Sequence, residues 1–223
     1  MPTIAIIGAG SGLGAAVVRR FAKEGFAAAL ISRTADRVNA LAEELRGEGI
    51  EARGYSANVR DHGALRAALD AAAADLGPID VLQYSPLPAK EFLRPVLETT
   101  VDDLQPAIEF SVYGPLVAVH HVMQHMRFRG GGTVLLVNGG TAVQPLAKFA
   151  GTSVAFAGES ALGAMLHDAL APDNIHVGQL IIPGGIIPGH PRKDPQVLAE
   201  RLWTIHSERG EFRTFAGDMD LDG

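Results

Sequence analysis

The feature that most constrains this chain is a glycine-rich run near its N-terminus. Residues 7–14 read Ile-Gly-Ala-Gly-Ser-Gly-Leu-Gly, follow the apolar run 3–7 and lead into an amphipathic stretch. A strand, a glycine turn and a helix in this order are typical of a cradle for dinucleotide phosphates, because the helix N-terminus offers free N–H donors and a positive dipole end. The sequence therefore predicts a phosphate-binding turn formed by Gly8, Gly10, Ser11, Gly12, Leu13 and Gly14.

The rest of the sequence alternates strand-length apolar runs with stretches of helical period. The predicted strands are 3–7, 26–31, 50–56, 79–84, 133–138, 175–182 and 211–216, and the predicted helices lie near 13–24, 35–46, 62–76, 100–128, 149–171 and 195–207. Nearly continuous apolar runs are typical of parallel strands that helices cover on both faces. We therefore expect an α/β protein, a Rossmann-type doubly wound parallel sheet of about seven strands. Without a linker-like segment, residues 1–223 form a single dinucleotide-binding domain in this prediction.

Composition excludes several other classes of function. The 19 Lys and Arg residues against 25 Asp and Glu residues give a net charge of −6, which disfavours a nucleic-acid partner. The absence of cysteine excludes disulfides and thiolate metal sites and suits a reducing compartment. Neighbouring histidines at 120, 121 and 125 do not form a recognisable metal pattern. We expect a cytoplasmic protein with neither a membrane segment nor a metal site.

The residues after the second and third strands bear on the choice of cofactor. Ser32-Arg33-Thr34 contains no carboxylate for a ribose 2′-hydroxyl, whereas a hydroxyl followed by a guanidinium can hold a 2′-phosphate. The pattern favours NADP(H), with NAD(H) as the alternative. Arg33 could instead pair with Asp36. Asn58-Val59 could place an amide and a small apolar wall beside the adenine, although Asn58 is equally typical of a turn.

These motifs resemble those of the short-chain dehydrogenase/reductase family over nearly the whole chain. Gly8-x-x-x-Gly12-x-Gly14 matches its glycine motif, Asn58-Val59 lies where the family commonly has Asp-Val, and Pro183-Gly184 matches its Pro-Gly turn. The resemblance implies the family's fold and cofactor class, with Ile182 and Ile186 near the nicotinamide. It also implies a homo-oligomer, a dimer or tetramer, that pairs the helices near 100–128 and 149–171.

The family's catalytic Asn, Ser, Tyr and Lys are each replaced in this sequence. The matching positions hold Ser111, Gly139, Thr152 and Phe156, and no Tyr-x-x-x-Lys occurs anywhere in the chain. A threonine hydroxyl is a far weaker acid than a phenol whose pKa a neighbouring lysine lowers. We therefore predict an NADP(H)-binding protein with a degenerate catalytic site that is not a standard carbonyl reductase.

The alternative is an active oxidoreductase. The sequence therefore does not decide whether the chain is an enzyme. Such an enzyme would act on an unidentified small molecule that is easily reduced, or would use another proton donor. Tyr84, at the end of the fourth strand, is the candidate donor, with a cofactor-wall or loop role as the simpler interpretation. The Pro- and Gly-rich segment 186–193 could form a lid, in which Arg192 or Lys193 contacts a phosphate or an acidic ligand, or is merely solvated.

Overall fold

Seven strands form one parallel sheet, as the sequence predicts. The computed structural model describes residues 1–219; residues 220–223 of the expected single domain lie outside the described residues. The strands are β1 (Thr3–Ile7), β2 (Ala27–Ser32), β3 (Ala52–Ser56), β4 (Ile79–Tyr84), β5 (Gly132–Gly139), β6 (Ile175–Ile182) and β7 (Arg213–Phe215). Their order is β3-β2-β1-β4-β5-β6-β7. The strand order reverses between β1 and β4, so a ligand crevice opens beyond the carboxyl ends of these two strands.

Helices cover both faces of this sheet. They are α1 (Leu13–Ala22), α2 (Ala35–Gly47), α3 (His62–Leu76), α4 (Val101–Ile108), α5 (Gly114–Phe128), α6 (Ala150–Leu170) and α7 (Pro195–Glu208). Alternate residues of each strand enter two separate cores: Ile4 and Ile6 pack with α1, α2 and α7, whereas Ala5 and Ile7 pack with the helices of the other face. In the described part of the chain, no helix is long and apolar enough to cross a bilayer.

The long helix predicted near 100–128 is helical throughout, but it contains a π-helical turn at Glu109–Tyr113 between α4 and α5 that the sequence did not predict. Pro115 lacks the N–H that a continuing π-helical turn would direct at the carbonyl of Phe110. The hydroxyl of Tyr84 donates to that carbonyl instead. A side chain from β4 therefore completes the hydrogen bonding of the helix that carries Ser111.

The segment between β4 and α4 fixes the start of α6. Val96 N donates to Ala147 O at 2.8 Å, and Ala150 N donates to Arg94 O at 2.8 Å. The backbone oxygen of Phe92 would lie only 2.7 Å from a Cβ at Gly151, so that glycine is required for this close approach. The first turns of α6, which include Thr152, are therefore covered by this segment.

Candidate functional site

The glycine turn has the geometry that the motif predicts. Gly8 has a φ of +89°, and a Cβ there would overlap the backbone of Pro86, which follows β4. The N–H groups of Gly8 and Ala9 both donate to Ile31 O, at 2.8 and 3.1 Å. Gly10 and Gly12 would place a Cβ in open space, so the loop presents bare backbone to the crevice. Among the described residues no side chain caps α1, which leaves its first N–H groups free for an anion.

A cavity of about 580 Å³ extends from this turn along the carboxyl ends of β1, β2 and β3. Its walls combine backbone, hydroxyl, guanidinium and apolar groups, as an adenosine phosphate requires. The residues that form it are Gly8, Ala9, Gly10, Ser11, Ile31, Ser32, Arg33, Thr34, Arg37, Ala40, Leu41, Glu44, Ala57, Val59, Pro86, Leu87 and Phe110. The shape and donors fit the adenosine half and the phosphates of a dinucleotide.

Two guanidinium groups face the cavity beyond β2. Arg33 follows the strand, and Arg37, which the sequence interpretation missed, lies in the first turn of α2. In the sequence, the spacing of four residues between Arg33 and Arg37 could have indicated that both side chains lie near the same ligand. Within the described residues, neither arginine has a carboxylate at ion-pair distance, so the pairing of Arg33 with Asp36 is not formed. Glu44 also lines the cavity, but its carboxylate pairs with Arg19 at 2.8 Å.

The other predicted cofactor residues fall into two groups. Val59 is buried on the cavity wall, whereas Asn58 uses its side-chain oxygen to accept from Arg60 N at 3.1 Å, which is a turn role. Pro183, Gly184 and Ile186 lie at the end of β6 and do not line this cavity. Leu13 and Gly14 are buried at the start of α1, where they position the turn.

At the four positions that the resemblance matches to the family's catalytic residues, the side chains are two buried hydroxyls, a buried aromatic ring and a glycine. Ser111 and Thr152 are only 1% and 4% exposed, and Thr152 Oγ1 donates to Phe149 O at 3.2 Å. Phe156 packs against Ala142 and Ile181, with its ring next to Gly139. An apolar ring therefore occupies the position that the resemblance matches to the family's lysine.

Tyr84 does not face the crevice, so the structure counts against it as the replacement proton donor. Its side chain is 1% exposed within the core of the α3 and α5 face, and its hydroxyl is occupied by the carbonyl of Phe110. Burial raises its pKa well above the ordinary value, and the Glu159 carboxyl adds to that rise. The position of Tyr84 at a strand end suggested that its ring faces the crevice. The sequence of a buried parallel strand does not show which face of the sheet a terminal side chain takes, so the burial of the ring was not predicted.

A buried polar cluster that sequence reasoning missed lies beneath these positions. Glu159 on α6 is 1% exposed and approaches Ser111 and Asn138, yet its Oε1 has no hydrogen bond of normal geometry, and neither has Asn138 Nδ2. Gln179 Nε2 donates to Asn138 Oδ1 at 2.8 Å. Burial raises the pKa of the Glu159 carboxyl well above its usual range, and the contacts from Asn138 and Ser111 oppose this only in part. The available sequence signal was one acidic residue, Glu159, among the small and apolar residues in the middle of the predicted helix.

Comparison with known proteins places these features in context. A family model described as short chain dehydrogenase matches residues 2–194. The probable galactose dehydrogenase of Rhizobium meliloti is 30% identical over 192 residues, which cover 85% of this chain and 73% of that protein. D-threitol dehydrogenase of Mycolicibacterium smegmatis is 32% identical over 130 residues, or 58% of this chain and 49% of that protein. The chain thus spans about half to three quarters of these relatives.

Solved structures share the architecture. L-sorbose reductase from Gluconobacter frateurii, crystallised with NADPH and L-sorbose, superposes with a TM-score of 0.87 at 22% identity, covering 98% of this chain and 97% of that one. A short-chain dehydrogenase from Rhodopseudomonas palustris gives a TM-score of 0.83 at 26% identity, with 96% and 97% coverage. The shared fold therefore covers nearly the whole of this chain and nearly the whole of each solved structure.

The buried carboxyl yields a stability prediction. The folded protein keeps a proton on Glu159 at pH values where the unfolded chain has lost it, so this residue makes the free energy of unfolding fall as pH rises above about 4.5. Glu159→Gln removes this effect. We expect the variant to be more stable than the wild type near pH 8 by on the order of 1–3 kcal/mol, the usual cost of one buried unsatisfied polar group.

Urea unfolding at several pH values measures this difference. The gain should shrink toward pH 4.5, and the exposed Asp168→Asn on the same helix serves as the control that changes little. A Glu159→Gln variant that is less stable than the wild type at every pH would show that the carboxyl is satisfied and ionised.

Proposed function

The chain belongs to the short-chain dehydrogenase family, and from that premise we propose that it binds NADP(H) in the cavity beyond β1, β2 and β3. The observation that carries the proposal is the pair Arg33 and Arg37, two guanidinium groups that face the cavity without a carboxylate partner among the described residues. The L-sorbose reductase of similar fold was crystallised with NADPH, which supports the same cofactor class. NAD(H) is the alternative cofactor.

The residues have distinct roles toward this cofactor. Gly8, Gly10 and Gly12 leave room for the pyrophosphate at the N-terminus of α1. The 2′-phosphate on the adenosine ribose would lie among four residues of the cavity wall, Ser32, Arg33, Thr34 and Arg37. Val59 and Ala57 form the apolar wall for the adenine. When bound, the dinucleotide supplies or accepts a hydride at its nicotinamide ring.

We further propose that the chain does not reduce ketones by the mechanism of its family. Hydride transfer to a carbonyl needs a proton donor at the developing alkoxide, and Thr152 is buried with its hydroxyl directed at a backbone carbonyl. Phe156 supplies no charge to lower a neighbouring pKa, and Gly139 has no hydroxyl for a substrate oxygen. A cofactor-binding protein that has lost the family reaction fits these residues best.

The second candidate is an oxidoreductase that acts on an easily reduced small molecule. A quinone or an imine needs less assistance from a protein acid than a ketone does. This candidate requires a donor other than Tyr84, because the hydroxyl of Tyr84 is enclosed in the core and already donates to Phe110. Turnover of NADPH with such a substrate would distinguish this oxidoreductase from a protein that only binds the cofactor.

We also propose a cytoplasmic homo-oligomer. The outer side of α6 carries an apolar stripe in which Val154 and Met165 are 47% and 63% exposed, with Ala157 and Ala161 exposed between them. Small residues on this stripe permit close approach of a second copy across a two-fold axis. The glycines of α6 serve the chain's own packing instead, since a Cβ at Gly158 would meet Val112 at 3.0 Å.

Cofactor preference is the first prediction of this proposal. NADPH should bind more tightly than NADH, because a charge-assisted contact with the 2′-phosphate contributes about 1.5–3 kcal/mol, roughly tenfold or more in affinity. Arg33→Ala and Arg37→Ala should each reduce this difference by weakening NADPH and leaving NADH unchanged. Calorimetric titration measures both ligands. Equal affinities in the wild type, or no binding, would refute the proposal.

The second prediction concerns turnover. Ketones should give no NADPH oxidation above the background rate, because general acid catalysis worth about 10²–10⁴-fold is missing. Absorbance of NADPH is followed with ketones, quinones and imines for the wild type, Thr152→Ala and Tyr84→Phe. Robust ketone reduction that collapses in Thr152→Ala would overturn the proposal. Turnover of quinones alone would favour the oxidoreductase candidate.

The third prediction concerns assembly. Light scattering at micromolar concentration should give the mass of a dimer or tetramer, and Ala157→Arg on the α6 stripe should shift it to the monomer by charge repulsion across the two-fold axis. Glu44→Arg, remote from α6, is the control that leaves the mass unchanged. A monomeric wild type, with or without NADPH, would refute this interface.

A further inference from the structure

The segment that follows β7 turns back across the end of the sheet. Ala216 is fully buried, and its N–H donates to Ile181 O at 2.8 Å, so the chain stays paired with β6 up to this residue. The next three residues leave the strand, and the half-buried side chain of Met219 packs against a small apolar cluster. We refer to residues 216–219 as the strap.

The apolar cluster under the strap lies at the carboxyl ends of β5 and β6. Its buried members are Ala142, Phe156 and Ile181. Ala142 belongs to the turn directly after β5, and Ile181 is the penultimate residue of β6. Ligands of doubly wound sheets bind beyond the carboxyl ends of the strands. Met219 therefore lies at the ligand edge of the sheet, beside β5 and β6.

The cavity of about 580 Å³ stops before this place. Of the residues beyond β3, it reaches Val59, Pro86, Leu87 and Phe110, but it does not include Phe156. A dinucleotide in a doubly wound fold lies across the crevice at the point where the strand order reverses, with one half on each side of it. The cavity thus fits the adenosine half, whereas the strap covers the side that the nicotinamide half would take.

One ion pair ties the strap to the turn between β6 and α7. Arg192 of this turn donates to the Asp218 carboxylate at 2.8 Å, and its guanidinium carbon would lie 3.8 Å from a Cβ at Gly217. Lys193, the next residue, instead donates from its Nζ to Pro183 O at 3.2 Å. Within the described residues, Arg192–Asp218 is the one ion pair that the strap makes.

This ion pair is exposed, so it holds the strap only weakly. The side chains of Arg192 and Asp218 are 49% and 76% exposed, and such pairs contribute little and are screened by salt. Ala216, by contrast, is anchored in the sheet. Gly217 lies between the anchor and the ion pair, so a rotation there would carry Asp218 and Met219 off the sheet together.

We propose that the strap is an autoinhibitory contact. Held by Arg192 and Asp218, it keeps Met219 over the place of the nicotinamide half, so the full dinucleotide binds only when the strap opens at Gly217. The adenosine half binds whether the strap is open or closed. This inference rests on the proposed binding of NADP(H). The apparent affinity for the dinucleotide is then scaled by the fraction of molecules whose strap is open.

A thiol probe tests the strap without any cofactor. The chain contains no cysteine, so Ala142→Cys gives a single thiol in the cluster that Met219 covers. The aromatic disulfide dithionitrobenzoate should modify this thiol slowly, and roughly two- to fivefold faster once Arg192→Met or about 1 M salt breaks the ion pair. Met219→Ala should raise the rate about five- to tenfold, because it removes the covering side chain.

Matched controls separate the ion pair from a general loosening of the fold. Asp173→Asn breaks another partly exposed ion pair, before the start of β6, and should leave the thiol rate unchanged. The charge exchange Arg192→Asp with Asp218→Arg should restore slow modification. Gly139→Cys is a second probe if Ala142→Cys fails to fold, because a Cβ at Gly139 would make ordinary contact with Phe156 at 3.7 Å.

Two ligands test the competition with the cofactor. NADPH has both halves of the dinucleotide, whereas adenosine 2′,5′-bisphosphate lacks the nicotinamide half. Calorimetry should show that Arg192→Met and Met219→Ala strengthen NADPH binding by about the factors that they give for the thiol rate. The affinity for adenosine 2′,5′-bisphosphate should stay within about twofold in both variants.

The two measurements fail in distinguishable ways. A thiol rate that is the same in the native chain and in every opened variant would overturn the strap. A faster thiol with an unchanged NADPH affinity would overturn its competition with the nicotinamide half and leave NADP(H) binding standing. A wild type that binds neither ligand, even with Met219→Ala, would refute the proposed function and this inhibition with it.

Discussion

The close approach of the Gly8 backbone to the end of β4 is the constraint on which the site depends. With a φ of +89° and no room for a Cβ beside Pro86, Gly8 turns the chain out of β1 directly against the neighbouring strand. The N–H groups of Gly8 and Ala9 share one carbonyl of β2, which ties the turn to three strands at once. This geometry sets the N-terminus of α1 facing the crevice, and the cavity along β2 and β3 follows from it. A side chain at position 8 would overlap the backbone of Pro86 and displace the glycine turn from the end of β4.

The proposed loss of the family reaction agrees with the burial of several polar groups in the core of this chain. Hydroxyl, amide and carboxyl groups lie one layer deeper, where Tyr84 completes the π-helical turn and Glu159 approaches Ser111 and Asn138. Phe156 packs its ring against Ala142 and Ile181, next to Gly139. Because these groups are enclosed in the core, they do not reach a substrate, which supports the proposal that the chain binds the cofactor without performing the family reaction.

The sequence predicted the sheet and the phosphate turn because both rest on local patterns. Apolar runs locate six of the seven strands closely, and the glycine spacing identifies the turn. The π-helical turn within the long helix was not predicted, because it depends on Pro115 and on a hydroxyl from a distant strand. Arg37 and Glu159 each had a weak signal in the sequence, but the direction of their side chains depends on how the helices pack on the sheet, which a single-sequence pattern does not show. The expectation for Tyr84 placed its backbone rightly and its ring wrongly.

We propose that this chain has kept a dinucleotide cleft and lacks a proton donor beside it. A crystal structure of the chain with NADPH tests this most directly. We expect the 2′-phosphate between Arg33 and Arg37, the pyrophosphate on the glycine turn, and no tyrosine, lysine or carboxyl group within hydrogen-bond reach of a substrate oxygen at the nicotinamide C4. NADPH bound outside this cavity, or Tyr84 turned out of the core to stand beside the nicotinamide, would contradict the account.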